Sequence, residues 1–383
     1  MGGVRFNMKN MKVLKISLVL AIIGALFVGC AATPEPAAPD PAPAAPAAPA
    51  EPAPEAEEPD DPDPPQEVVA DDTITIGFVM IDFTNPFFID LMEGGNLAAE
   101  QYGVEVIWNS AEGSFEQQIA LMENFIAMGV DVIVSDPLDS LGMTPVKQQA
   151  AAAGIPTITM AGYVDVPTNF TTVYNDLENS RVTAELIGHT LGGEGLVALL
   201  YGNRGNLVSD LRREGFHQGI AQFPGITLIE QPMNWDPVQG MEVATAMLAA
   251  HPDLAAIHSV SDGVTLAVHQ AVIIAGREGD IIITSYDGNP DGIDLVEDGT
   301  YLINTLTGAR RTGFWNVHLA IQLAQGYRPA ERIMNMDTHF IVNPETYDAL
   351  RSIVPDASII FPAQARIYSD NYWQDIYDPN LMN

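Results

Sequence analysis

Cysteine occurs once in the 383 residues, at Cys30, so the chain cannot close an intramolecular disulfide and offers no Cys-Cys or Cys-His cluster for a metal or redox centre. Basic charge is almost as scarce. Arg5, Lys9, Lys12 and Lys15 fall within the first 29 residues, which hold no acid. The remainder carries 12 basic residues against 50 acidic ones, a balance of −38, and Lys147 is its one lysine. A surface of that sign repels polyanions, which excludes nucleic acid, anionic lipid surfaces and polyphosphates as partners.

Cofactor and catalytic motifs are missing as well. The loop after the strand-like "TITIGFVMI" reads "DFTNPFF", without the G-x-G-x-x-G turn that lets a dinucleotide pyrophosphate approach a helix N-terminus. "LGGEGL" precedes a strand instead of following one, and reads as a helix C-cap and turn. No Walker lysine motif, G-x-S-x-G elbow or H-E-x-x-H is present. The seven histidines are scattered, and His258 and His269 flank a strand-loop-helix at a spacing that fits no ligand pair. No metal, cofactor or catalytic residue is therefore expected, and an enzyme acting on a sugar would need a nucleophile and base that cannot be placed.

What is present begins with a leader. Four basic residues precede the apolar run Ile16 to Val28, which is too short for a membrane span and reads as the core of a secretory signal. Cys30 follows "ALFVG", a context that resembles a lipobox, where the thiol receives a diacylglyceryl group and becomes the new N-terminus; Phe27 stands where leucine is more usual. The alternatives are an ordinary signal peptide or a buried structural thiol. From Ala31 to Ala70 the chain is mostly Pro, Ala, Glu and Asp. That composition buries too little apolar surface to offset chain entropy, so a disordered spacer is expected, reaching up to about 120 Å at roughly 3 Å per residue.

From Thr73 onward β-branched runs alternate with helical stretches: "TITIGFVMI", "VEVIW", "VDVIVSD" and "PTITMA" around helices such as "SFEQQIALMENFIAM". A second series starts near residue 177, with strands "GLVALLYG", "ITLIEQP", "LAAIHSV" and "DIIITSYDG". The pattern predicts an α/β fold of two doubly wound, Rossmann-like parallel-sheet domains, whose informative residues lie in the loops just after each strand.

Those loops share a chemistry. In "DFTNPFF", Asn85 and Pro86 suit a helix start, but successive helical residues diverge by about 100°, so Phe87 and Phe88 cannot share one face. If one packs on the sheet, the other needs a cover. Trp235 follows a strand in "QPMNWDP", and Tyr286 stands beside Asp287 in "SYDGNPDG". Asp136 in "VSDPLDS" and Asp262 in "SVSDGV" also lie at strand ends. An aspartate there is commonly a helix N-cap. Together with the rings, however, these groups describe a cleft suited to C–H faces and paired hydroxyls, as in sugar recognition.

The chain resembles the periplasmic sugar-binding proteins of the ribose type, the solute receptors of ABC importers, over about residues 72 to 345. "NPFF", "VIVSDPLDS", "AGIPTIT", "REGFHQGIAQF" and "SYDGNPDGIDLVEDG" carry the likeness. The same fold occurs in lactose-repressor-type regulators, but the export signal and the lack of a DNA-binding head argue against that branch. The resemblance implies a type I binding-protein fold with three crossovers near Asn175, Thr307 and Asp337, forming a hinge that closes on the ligand. It divides the chain into a leader (1–29), an anchored cysteine and spacer (30–70), a first subdomain (71–175 with 308–337) and a second (176–307 with 338–350). The extension 351–383 has no motif to assign it.

The resemblance also implies roles. Asn85 would contact ligand hydroxyls, and Phe87 and Phe88 would stack on the ring. Asp136 stands where the ribose receptor has Asn, Trp235 where it has Phe, and Asp287 matches its Asp; Ser261-Asp262 replaces Asn-Asp. Met160, Ala161 and Gly162 replace an Asp-Arg clamp, Arg212 or Arg213 stands in for a displaced arginine, and Thr307 replaces a Gln near the third hinge. The ligand is therefore expected to be a sugar or polyol other than ribose, with Ala161 and Gly162 leaving space. Several aspartates leave an amine or a helper cation open as well. The expected partner is an ABC permease, with a monomer held to the outer face of the cytoplasmic membrane only through its lipid. A receptor presenting its closed form to a membrane sensor kinase or chemoreceptor is the alternative.

Overall fold

The computed structural model describes residues 73–370; Cys30, the leader and the spacer lie outside the described residues. The chain opens with β1 (Thr75–Met80), α1 (Pro86–Tyr102), β2 (Glu105–Ser110), α2 (Phe115–Met128), β3 (Val132–Ser135), α3 (Thr144–Ala152), β4 (Thr157–Met160) and β5 (Asn169–Val173). A second series follows: α4 (Asp176–Thr190), β6 (Glu194–Tyr201), α5 (Leu207–Ile220), β7 (Gly225–Pro232), α6 (Pro237–Ala250), β8 (Leu254–Ser259), α7 (Asp262–Ile274), β9 (Ile282–Asp287), α8 (Pro290–Glu297) and β10 (Tyr301–Leu306). The chain then returns through α9 (Ala309–Ala324) and β11 (Ile333–Asn335), and ends in β12 (His339–Ile341), α10 (Pro344–Ile353), β13 (Ile359–Ile360) and α11 (Pro362–Asp370).

These strands make two sheets, in the orders β11-β5-β4-β3-β1-β2 and β13-β12-β10-β9-β8-β6-β7. Every pairing is parallel except that of β10 with β12. Parallel strands covered by helices on both faces must be apolar throughout, and β3 is buried along its whole length as β1 is from Ile76 onward. The expected pair of doubly wound α/β domains is what forms, and the chain crosses between them three times: after β5, after β10 and after β11.

In each sheet the strand order reverses at one point, between β1 and β3 in the first and between β6 and β8 in the second. Loops from adjacent strands diverge to opposite faces there and leave a crevice at the carboxyl ends. Local signals start the helices that flank these crevices. Asn85 caps α1 by accepting from the Phe87 N–H at 3.0 Å, with Pro86 in the first turn. Asn206 caps α5 through the Ser209 N–H at 3.0 Å.

Two helix pairs touch backbone to backbone. A Cβ on Gly313 of α9 would stand 1.9 Å from the Leu91 carbonyl oxygen of α1, and one on Gly94 the same distance from that of Arg310. Gly215 of α5 makes the equivalent approach to Leu177 of α4. The extension left unassigned from sequence is partly built into the second domain. β13 adds a parallel strand to β12, Arg366 of α11 pairs with Asp294 and Glu297 of α8, and Tyr368 packs against the cores of both domains.

Lys147, the one lysine of the described residues, is fully buried. Its Nζ donates to Thr159 Oγ1 at 2.6 Å, Asn169 Oδ1 at 2.9 Å and the Ile158 carbonyl at 3.3 Å. Burial holds its pKa well below 10.5.

Gly313→Ala is expected to push α9 off α1 and lower the unfolding free energy by about 1–3 kcal/mol, measured by urea denaturation. A loss below about 0.5 kcal/mol would mean that the helices separate freely and that the close contact contributes little.

Candidate functional site

The crevices of the two domains face one another and enclose a cavity of about 460 Å³ counting its mouth. Each wall residue sits at a strand's carboxyl end or in the first turns of the next helix, as the strand order demands. From the first domain come Ile81, Asn85, Phe87 and Phe88 after β1, Asp136 after β3, Ala161 after β4 and Tyr174 after β5. The second contributes Asn206, Val208 and Arg212 after β6, Trp235 after β7, Ser261 after β8 and Asp287 at the end of β9.

Phe87 and Phe88 both reach the cavity, resolving the problem of their divergent directions. Phe88 is buried and Phe87 half-buried, and the rings meet edge to face with centroids 5.5 Å apart at 85°. Trp235 lies over Gly202, where a Cβ would come within 2.3 Å of the indole. Its Nε1–H is buried with no hydrogen-bond partner among the described residues, leaving a donor available in the wall.

Arg212 is the one cation in this wall. Its Nε donates to Asp176 Oδ1 at 2.8 Å, and its Nη1 to the Val260 carbonyl at 2.6 Å and to Asp287 Oδ1 at 3.1 Å. The guanidinium lies 3.6 Å from the ring centre of Tyr286. Burial opposes its charge, but Asp176, Tyr286 and Asp287 outweigh burial and raise its pKa above the ordinary arginine value. Nη2 makes no hydrogen bond among the described residues, so the fork keeps a charged edge for a guest.

The carboxyls behave differently. Burial pushes Asp287 up to about 6 against the opposing pull of Arg212, and pushes Asp136 up to about 7, again opposed by Arg212 and reinforced by Asp82. Asp287 is also held in an unusual backbone geometry, with φ at 107°. Ala161 and Trp235 take left-handed φ values of 50° and 61°, so three of the five non-glycine residues with positive φ among the described residues line this cavity. Each costs on the order of 1–3 kcal/mol and persists only where neighbours enforce it.

Of the residues singled out from sequence, Asn85, Phe87, Phe88, Asp136, Arg212, Trp235 and Asp287 come together. Asp262, Tyr286 and Thr307 do not reach the wall. Asp262 is buried at the start of α7, accepting from the Asn289 N–H at 2.7 Å, from Asn304 Nδ2 at 2.8 and 2.9 Å, and from the Ser285 hydroxyl. Tyr286 is buried behind the wall, its hydroxyl donating to Asp176 at 2.9 Å and its ring lying under the Arg212 guanidinium, and so supports Arg212 from beneath. Thr307 holds the Asp287 carbonyl with its N–H at 3.1 Å and its hydroxyl at 3.3 Å.

Between the two candidate arginines the structure selects Arg212, because Arg213 pairs with Glu230 away from the cavity. Gly162 opens no space, since a Cβ there would meet Pro137 at 2.7 Å. Ile81, Tyr174, Asn206 and Val208 were missed by sequence reasoning. Asn206 carries the signal that identified Asn85, an Asn opening a helix after a strand, while Tyr174 follows the strand β5 that was not recognised. Two contacts span the cavity's rim: Asn206 Nδ2 donates to the Pro137 carbonyl at 3.0 Å, and Asn85 Nδ2 stands 3.5 Å from Ser261 Oγ.

Comparison with known proteins adds a family. Residues 76–328 match the periplasmic binding protein domain. The ribose import binding protein of Escherichia coli (strain K12) is 27% identical over 232 residues, covering 60% of this chain and 77% of the relative. The D-allose-binding periplasmic protein of the same organism is 29% identical over 234 residues, covering 58% and 75%. Among solved structures, an ABC transporter periplasmic solute binding protein from Actinobacillus succinogenes 130z with bound D-allose superimposes with a TM-score of 0.66 at 26% identity, covering 72% of this chain and all of that one (100%).

Because folding lifts the Asp136 carboxyl from 3.8 to about 7, the folded state holds a proton that the unfolded chain has already released between those values. The resulting stability is fully present below about pH 4 and lost as the pH rises through about 7. Asp136→Asn is expected to raise the melting temperature of the ligand-free protein more at pH 8 than at pH 5. An equal shift at both values would place the carboxyl in ordinary solvent.

Proposed function

The chain belongs to the periplasmic binding protein domain family, as a ribose-type periplasmic sugar-binding protein, and from that premise we propose that it captures a monosaccharide-like sugar or polyol other than ribose for an ABC permease. The observation that carries the reading is the cavity itself. Phe87, Phe88 and Trp235 offer ring faces for the C–H surface of a sugar, while Arg212, Asp287, Asn85 and Asn206 offer planar groups for its hydroxyls.

D-allose, bound by one relative and present in one similar structure, supports a hexose-sized guest. Ala161, where the ribose type would clamp its ligand, supports a guest that is not ribose. In this reading the three crossovers act as a hinge that closes the domains, and the two contacts across the rim belong to the closed form. The first subdomain is 71–175 with 308–337 and the second 176–307 with 338–350, each bringing one wall of the cavity. Cys30 carries the lipid that tethers a monomeric receptor to the outer face of the cytoplasmic membrane, with the acidic Pro/Ala segment as spacer.

A thermal-shift screen against pentoses, hexoses, deoxysugars, polyols, nucleosides and amino acids tests the ligand class. A binder at a hundredfold excess over its Kd adds about 2.7 kcal/mol of stability. A sugar or polyol is expected to shift the melting temperature, with the shift lost in Trp235→Ala and Asp287→Ala; a response confined to nucleosides or to amino acids would overturn the reading. For the anchor, Cys30→Ser is expected to release the protein from the membrane fraction. Retention of that variant on membranes would remove lipidation from the account.

A further inference from the structure

Asp136 is the charged wall residue whose functional group holds nothing among the described residues. It is 7% exposed, yet its carboxylate oxygens accept no hydrogen bond from any described residue. The main chain around it is firmly fixed: its N–H donates to the Val79 carbonyl at 3.1 Å, Gln118 Nε2 donates to its carbonyl at 2.7 Å, and the same Gln118 takes the Leu138 N–H at 2.9 Å. The side chain is thus aimed into the cavity by its backbone, without a partner there.

The surrounding charges compensate it only in part. On its own domain the neighbouring ionisable group is Asp82, which repels; across the cavity it faces Arg212, whose guanidinium already bonds Asp176 and Asp287. Three carboxyls therefore share one guanidinium. No salt bridge within 4 Å joins Asp136 to Arg212, whose ion pairs among the described residues are with Asp176 and Asp287. A neutral hydroxyl would be read well by the amides of Asn85 and Asn206, which already face the space. A buried carboxylate without a cation is costly, and a cationic guest removes that cost. The rings of Phe87, Phe88 and Trp235 also attract a cation through their faces.

We propose that the ligand is a sugar or cyclic polyol bearing a protonated amine, and that Asp136 receives the ammonium. This rests on the reading of the cavity as a sugar site and narrows its ligand class. Titration calorimetry at pH 7 tests it with matched pairs: glucosamine and glucose, galactosamine and galactose, an inosamine and myo-inositol, with the N-acetylated amine as a neutral control. The amine is expected to bind at least tenfold tighter than its hydroxyl and N-acetyl counterparts, and Asp136→Asn to abolish that preference. At pH 6.5 amine binding is expected to expel a proton from the carboxyl, seen as a binding enthalpy that varies with buffer ionisation.

Hydroxyl sugars binding as tightly as their amines would overturn the inference and leave the sugar-receptor function standing. Binding by neither class would overturn both. The comparison of amine with hydroxyl is made on the unaltered protein, so it decides the matter even if Asp136→Asn folds poorly.

Discussion

One guanidinium sets the geometry of the cavity. Arg212 projects from α5 to the Asp176 carboxylate at the start of α4, the Val260 carbonyl after β8 and the Asp287 carboxylate at the end of β9, while Tyr286 of β9 lies beneath it. Four elements distant in sequence are tied to a single charged group in a dry environment. Such an arrangement is tolerable only if every partner is in place, since a buried charge stripped of one carboxylate loses several kcal/mol. The arginine is a structural tie and a wall residue at once.

Around this tie the backbone is forced into conformations that it would not choose. Asp287 at φ 107° is pinned by Thr307 through its carbonyl and by Arg212 through its carboxylate. Trp235 at φ 61° is seated against Gly202, where only a hydrogen leaves room for the indole. Residues that looked like ligand contacts in the sequence thus turn out to keep other contacts in position. Each domain's half of the wall is held in place by these contacts, so a guest need not order it.

The fold was legible because parallel strands buried on both faces advertise themselves as β-branched runs, and because Asn-Pro and Asp-Gly punctuation marks where they end. β5 escaped because "NFTTV" is short and polar, with Asn169 satisfied by Lys147 and Thr159, Thr171 by Asn169, and Thr172 by Asn316 of α9. The site was legible where a single strand end decides it, as at Asn85, Asp136 and Asp287. It was not legible where partners far along the chain decide. Asp262 is drawn inward by Ser285, Asn289 and Asn304, residues whose proximity exists only once the second sheet has formed. Tyr286 is likewise drawn inward by Asp176 and Asn179 of α4, partners more than a hundred residues earlier in the chain.

The burial of Lys147 has a chemical consequence for the surface. Across residues 73–370 every exposed permanent cation is a guanidinium, and the single ε-amine is enclosed between α3 and the first sheet with three acceptors around it. Reducing sugars exist partly as aldehydes, and aldehydes condense with free amines. The folded body presents no lysine amine for that condensation, so it can stand in concentrated aldose without accumulating Schiff-base adducts on its side chains. Amine-directed labels and acyl donors meet the same inert surface, and any lysine-specific modification of these residues reports unfolding.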